Sequence, residues 1–183
     1  GYSGLHFGRF YDDTSRSYST AYQCPRLETI ILGDNVITVG NNAFDAYEDF
    51  NALTSLTLGS GITSIGSNAF RGMTNLVSLT IPDSVENIGQ GAFQSATSLT
   101  SLTLGSGLLS IGSNAFSGAT SLTNVVLPDS ITTISDSAFS GATSLGSINL
   151  PDSITSIGSS AFRNTSLTSV VIPDSVTSIG EYA

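Results

Sequence analysis

The sequence predicts an α/β solenoid, a stack of short units each made of a strand, a turn, a second short extended piece and one helical turn. Two observations carry that expectation. The stretch Leu99 to Ser121, LTSLTLGSGLLSIGSNAFSGATS, returns in recognisable form about every 23 residues along most of the chain. Within each copy the apolar positions fall at regular offsets, so no unit can bury its apolar face alone and stacked neighbours must do it together. Composition agrees: 39% hydrophobic residues with only 10% charged is not a disorder signature when the apolar positions are periodic.

Residues 1 to 26, GYSGLHFGRFYDDTSRSYSTAYQCPR, keep only a trace of the register. Ala21-Tyr22 stands six residues before Leu27, as Ala161-Phe162 stands six before Leu167. This segment reads as a degenerate N-terminal turn or cap, its aromatics Phe7, Phe10, Tyr11, Tyr18 and Tyr22 covering an otherwise open apolar end.

Residues 27 to 183 form the array, with units starting at Leu27, Leu53, Leu76, Leu99, Leu122, Leu145 and Leu167, the last one truncated. The spacings are 26, 23, 23, 23, 23 and 22. Both irregular ones arise in the same segment of the unit: Asp45 to Ala52 carries an insertion, and Arg163 to Ser166 is one residue short. A surface connection tolerates such changes.

Inside a unit, LTSLTL alternates apolar and polar residues, the period-two signal of a short strand. Pro82-Asp83-Ser84, Pro128-Asp129-Ser130, Pro151-Asp152-Ser153 and Pro173-Asp174-Ser175 end it, because proline cannot donate to a ladder and Asp and Ser favour turns. Gly59-Ser60-Gly61 and Gly105-Ser106-Gly107 do the same by backbone permissiveness. A second apolar pair follows, such as Ile131 and Ile134. Then Gly112-Ser113-Asn114 precedes Ala115-Phe116; Ser and Asn read as N-caps of one turn of α- or 3₁₀-helix, which Gly118 or Gly141 stops. Stacking at about 4.8 Å per turn predicts leucine ladders and a spine of Phe44, Phe70, Phe93, Phe116, Phe139 and Phe162.

The combination of LxSLxL, PDS, I-G/S and AF at fixed offsets, from Leu27 to Ala183, resembles the 23-residue leucine-rich repeat of the BspA-like surface proteins, also called the Treponema pallidum type. The resemblance implies a right-handed leucine-rich-repeat superhelix with a short-stranded parallel β-sheet on the concave face and short helical turns or loops opposite. It also implies extracellular or surface proteins of bacteria and some protists that bind host or matrix proteins. The family offers no catalytic residues to carry over.

The chemistry-bearing residues are few. Fourteen acids stand against five arginines and no lysine, a formal charge of −9, which excludes the cationic patch that nucleic acid or an anionic membrane surface requires. No apolar run approaches the roughly 20 residues of a membrane span. Cys24 is the single cysteine and reads as a small buried apolar residue; His6 is the single histidine, and no triad or metal set can be built on it alone. The chain is therefore expected not to be an enzyme and to need no cofactor. Asp83, Asp129, Asp152 and Asp174 form a possible column, for which turn chemistry is a sufficient reason and calcium the alternative.

The informative surface is the outward side of the strands: Ser55, Thr57, Ser78, Thr80, Ser101, Thr103, Asn124, Val126, Ser147 and Asn149, continued by Ser169 and Val171. It is small, uncharged and hydroxyl-rich, and the bland alternative is soluble, β-compatible filler. Tyr47, Glu48, Asp49 and Phe50 of the insertion form a second candidate patch, with plugging of a wider turn as the plain alternative. Asn164-Thr165-Ser166 is a glycosylation sequon. These features predict a binding or adhesion module for a protein or glycan partner, part of a larger secreted or cell-surface protein. The alternatives are a structural scaffold or linker within an intracellular or organellar assembly and, more remotely, an ice-binding lattice of Ser-x-Thr pairs.

Overall fold

The computed structural model describes residues 27–45 and 52–183. The N-terminal segment 1 to 26, with His6 and Cys24, lies outside the described residues. The described residues form a parallel β-solenoid. Each turn carries a longer strand and then a two-residue strand. In order these are β1 (Thr29–Ile31) and β2 (Thr38–Val39), β3 (Ser55–Thr57) and β4 (Ser64–Ile65), and β5 (Ser78–Thr80) and β6 (Asn87–Ile88). There follow β7 (Ser101–Thr103) and β8 (Ser110–Ile111), β9 (Asn124–Val126) and β10 (Thr133–Ile134), then β11 (Ser147–Asn149) and β12 (Ser156–Ile157), and finally β13 (Ser178–Ile179).

The expected leucine ladders and aromatic spine are present. In the Leu99 turn, Leu99, Leu108, Ile111, Ala115, Phe116 and Ala119 are wholly buried, and the neighbouring turns bury the same register positions. Ring centroids along the Phe44 to Phe162 spine are 5.4 to 5.9 Å apart with nearly parallel planes. At that centroid distance parallel rings are offset, which keeps the negative faces from confronting each other.

The α part of the expected α/β solenoid is absent from the described residues. The Ala-Phe segments are turns, and the reason lies in the residues read above as caps and stops. Asn42, Asn68, Asn114, Ser137 and Ser160 all have φ between 53° and 59°, and Gly91 joins them at 61°. Four residues on, Gly72, Ser95, Gly118, Gly141 and Asn164 are again at positive φ. Left-handed residues at a four-residue interval leave no run of right-handed turns to propagate a helix. The backbone bonds instead to the next turn: Asn114 N, Phe116 N and Gly118 N donate to Asp136 O, Ala138 O and Ser140 O at 3.0, 2.9 and 2.8 Å.

The sheet also differs from expectation. The two-residue strands, not the LxSLxL strands, form the long sheet: seven of them in the order β13-β12-β10-β8-β6-β4-β2, all parallel and in register. The longer strands pair only as β1-β3, β5-β7 and β9-β11. The expected single sheet of LxSLxL strands is thus present only as three separate pairs, beside one unbroken sheet of the second strands.

Candidate functional site

Because side chains alternate across a strand, the central residue of each longer strand points into the core and the two flanking ones point out. Ser55, Thr57, Ser78, Thr80, Ser101, Thr103, Asn124, Val126, Ser147 and Asn149 are all exposed, so the structure brings them onto one outer face. They are not equivalent there. Asn149 is engaged, its Oδ1 accepting from Leu127 N at 2.7 Å and its Nδ2 donating to Leu127 O at 3.2 Å. Ser147 Oγ donates to Asn124 Oδ1 on the turn before. Ile31, Val126 and Val171 share the register of Thr57 and stand 72%, 61% and 84% exposed, which gives the face an aliphatic component as well.

The unbroken sheet presents a second outer column: Thr38, Ser64, Asn87, Ser110, Thr133, Ser156 and Ser178, the first residue of each two-residue strand. Sequence reasoning missed it. The signal was available, since a Thr, Ser or Asn precedes the inward Ile or Val in every unit. Ser110 Oγ donates to Asn87 Oδ1 at 2.7 Å and Ser156 Oγ to Thr133 Oγ1 at 3.3 Å, so the column is partly wired along its length. Towards its end lies a shallow trough of about 460 Å³ lined among others by Thr133, Ser135, Asp136, Ser156, Ser159 and Ser178.

Two of the acids that follow the longer strands, Asp34 and Asp83, are held by their neighbours one turn on, whereas Asp129, Asp152 and Asp174 of the expected column make no such bond. Asp34 Oδ1 accepts from Ser60 N at 2.7 Å and Ser60 Oγ at 2.9 Å; Asp83 Oδ1 accepts from Ser106 N at 2.7 Å and Ser106 Oγ at 3.1 Å. The backbone N–H of Ser60 or Ser106, and then its hydroxyl, hold each carboxyl below its ordinary value of 3.8. A carboxyl with a lowered folded-state pKa contributes stability above its unfolded value and loses it as pH falls through the folded one. Melting temperature should therefore decline with acidification below about pH 4, where free Asp protonates. Asp83→Asn, which keeps an acceptor oxygen and does not titrate, should flatten that decline in a thermal melt series; an unchanged slope would show the cap to be energetically idle. Among the described residues no three His, Cys, Asp or Glu side chains converge as a metal site requires.

The insertion residues Tyr47, Glu48, Asp49 and Phe50 lie outside the described residues. What is described is the clamp at its start: Arg71 Nε and Nη2 donate to Asp45 Oδ1 and Oδ2 at 3.1 and 2.8 Å, with the Asp45 side chain 4% exposed. A bidentate pair of this kind joins the first turn to the second where the connection is longest. Asn164 sits exposed in a turn at φ 59°, and Ser166 of the same sequon donates its hydroxyl to Thr143 O.

Comparison with known proteins follows the same lines. Residues 14–140 and 63–183 match the family model of the BspA type leucine rich repeat region, with six copies. A leucine-rich repeat protein from Bacteroides ovatus is 31% identical over 88% of this chain and 41% of its own, with a TM-score of 0.80. A leucine rich cell surface protein from Faecalibacterium prausnitzii is 35% identical over 79% of this chain and 39% of its own, at 0.69. The Treponema pallidum leucine rich repeat protein is 30% identical over 87% of this chain and 77% of its own, at 0.61. The chain thus spans about two-fifths of the first two structures. No curated protein matches it.

Proposed function

The chain belongs to the BspA-type leucine-rich repeat family, and on that premise we propose that it is a non-enzymatic binding module within a secreted or cell-surface protein, holding a protein or glycan on an uncharged hydroxyl face. The observation that supports this most is the column Thr38, Ser64, Asn87, Ser110, Thr133, Ser156 and Ser178 over an unbroken seven-stranded sheet. Every backbone there is fixed by ladder bonds on both sides except at the ends, so a partner finds donors and acceptors already ordered and the entropy cost of binding is small. Short side chains admit close approach of a sugar ring or an extended peptide. Without aromatic or arginine anchors each contact is weak, and affinity comes from repetition along the stack. Described as it is, the Faecalibacterium relative supports the surface setting.

A second placement of the partner is favoured by the exposed Ile31, Val126 and Val171, which lie on the face formed by the longer strands with Ser78, Thr80, Ser101 and Thr103. The two placements separate in one experiment. Arrays of matrix proteins and glycans are probed with the parent chain, with Ser110→Arg/Ser156→Arg, and with Ser78→Arg/Ser101→Arg. Loss of binding in the first double variant alone supports the unbroken sheet, loss in the second alone supports the other face. Absence of any ligand above a scrambled-surface control would sink the binding reading.

A further inference from the structure

The turns are hydrogen-bonded unevenly on their two sides. On one side the seven-stranded sheet runs without a break; on the other the longer strands are joined across three junctions, β1-β3, β5-β7 and β9-β11. Between β3 and β5, between β7 and β9, and between β11 and the Leu167 turn, no ladder forms among the described residues.

The position two residues beyond each longer strand sorts these junctions. Where the later turn has glycine there, its backbone lies hard against the turn before. A Cβ on Gly59 would sit 2.5 Å from Gly33 C, and one on Gly105 would sit 2.3 Å from Pro82 O. Both junctions are closed, with Leu32 N donating to Thr57 O and Ile81 N to Thr103 O at 2.9 Å. Where the later turn has Pro82, Pro128 or Pro173, the ring cannot enter that space. The amides of Leu58, Leu104 and Leu150, which hold the register of Leu32 and Ile81, make no such bond.

Pro151 is the exception, since β9 and β11 pair although proline occupies the position. Here Leu127 N and O are met by the side-chain amide of Asn149, at 2.7 and 3.2 Å, so that amide crosses the gap that the proline leaves. At the open junctions the register of Asn149 is held by Thr80, Val126 and Val171, one too short to reach and two without a polar group, so the strand amides stay unbridged and only turn hydroxyls cross, Ser84 Oγ donating to Ile62 O and Ser130 Oγ to Leu108 O.

We infer that the proline turns are seams along which the solenoid opens on one side, with the unbroken sheet as the hinge, and that Asn149 is the staple holding the Pro128–Pro151 seam shut. Opening a seam spreads the face of the longer strands while leaving the hydroxyl column of the hinge in register.

Amide hydrogen exchange on the full chain tests it. Leu58 and Leu104 should exchange about fivefold to tenfold faster than Leu32 and Ile81, the factor expected for one lost hydrogen bond. Asn149→Thr should move Leu127 into the fast class while Ile134 and Ile157 in the hinge stay protected. Pro128→Gly, which removes the wedge and restores the glycine of the closed junctions, should slow Leu104; it keeps the test decisive should the Asn149 variant fail to fold. Equal protection of Leu104 and Ile81 in the parent, or an unchanged Leu127 in Asn149→Thr, would overturn the inference.

Discussion

Phe116→Ala should cost the array about 3–5 kcal/mol, the range for deleting a fully buried aromatic, and should change the shape of its unfolding as well as its midpoint. The ring is 0% exposed and stacks on Phe93 at 5.5 Å and on Phe139 at 5.6 Å, with planes 6° and 7° off parallel. Removing it therefore weakens two interfaces at once. In a stack where each turn touches only its neighbours, stability is a sum of turn and interface terms, and cooperativity across a weak interface is lost. Urea denaturation followed by circular dichroism should show two transitions, one for the turns before the Leu99 unit and one for those after it. Phe162→Ala, at a half-buried ring with only Phe139 stacked on it, should cost less and leave a single transition. A loss below about 1 kcal/mol for Phe116→Ala would mean that the spine is not what couples the turns.

The spine was readable because its physics is one-dimensional. A Phe recurring at a fixed offset can only stack on its copies, and the inward-outward alternation of LTSLTL likewise placed Ser101 and Thr103 outside and Leu102 inside. Other features were not readable. Asn114 and Gly118 fit the start and stop of a helical turn, yet the same residue types are preferred at caps and at positive φ, so type alone does not separate a helix from two left-handed residues four apart. A six-residue alternating run is a stronger strand signal than a two-residue Ser-Ile, yet it is the latter that makes the long sheet. Continuity is decided between units, by whether glycine stands against the turn before or, with proline there, an amide such as Asn149 bridges the gap, and no single unit contains that information. The column of carboxylates was ambiguous for the same reason: the donor to Asp83 is Ser106, 23 residues away. Of the candidate surface, exposure was legible and the second column was not, since each of its strands is only two residues long and carries no alternation to mark it.

Gly107→Ala should be among the most damaging single-methyl additions in the chain, at about 3 kcal/mol, the upper end for overpacking. The added Cβ would lie 2.1 Å from the carbonyl oxygen of Asp83, and the obstacle is backbone, which cannot rotate aside as a side chain end can. Relief requires the Leu99 turn to lift off the Leu76 turn, which would also break the Ser106 N to Asp83 Oδ1 bond one residue away. Gly61 meets Asp34 O in the same way at 1.9 Å, so Gly61→Ala should behave alike. Gly146 supplies the control: its φ is not positive, and the nearest atom to a Cβ there is Ser144 O at 3.9 Å. Gly146→Ala should be neutral or stabilising by about 0.4–1 kcal/mol, because the unfolded chain loses freedom and the folded chain loses no space. Thermal and urea unfolding of the pair Gly107→Ala and Gly146→Ala thus separates glycine required by contact between turns from glycine that is merely tolerated. If the two variants lose the same stability, the close approach of successive turns at Gly107 is not a constraint on the fold.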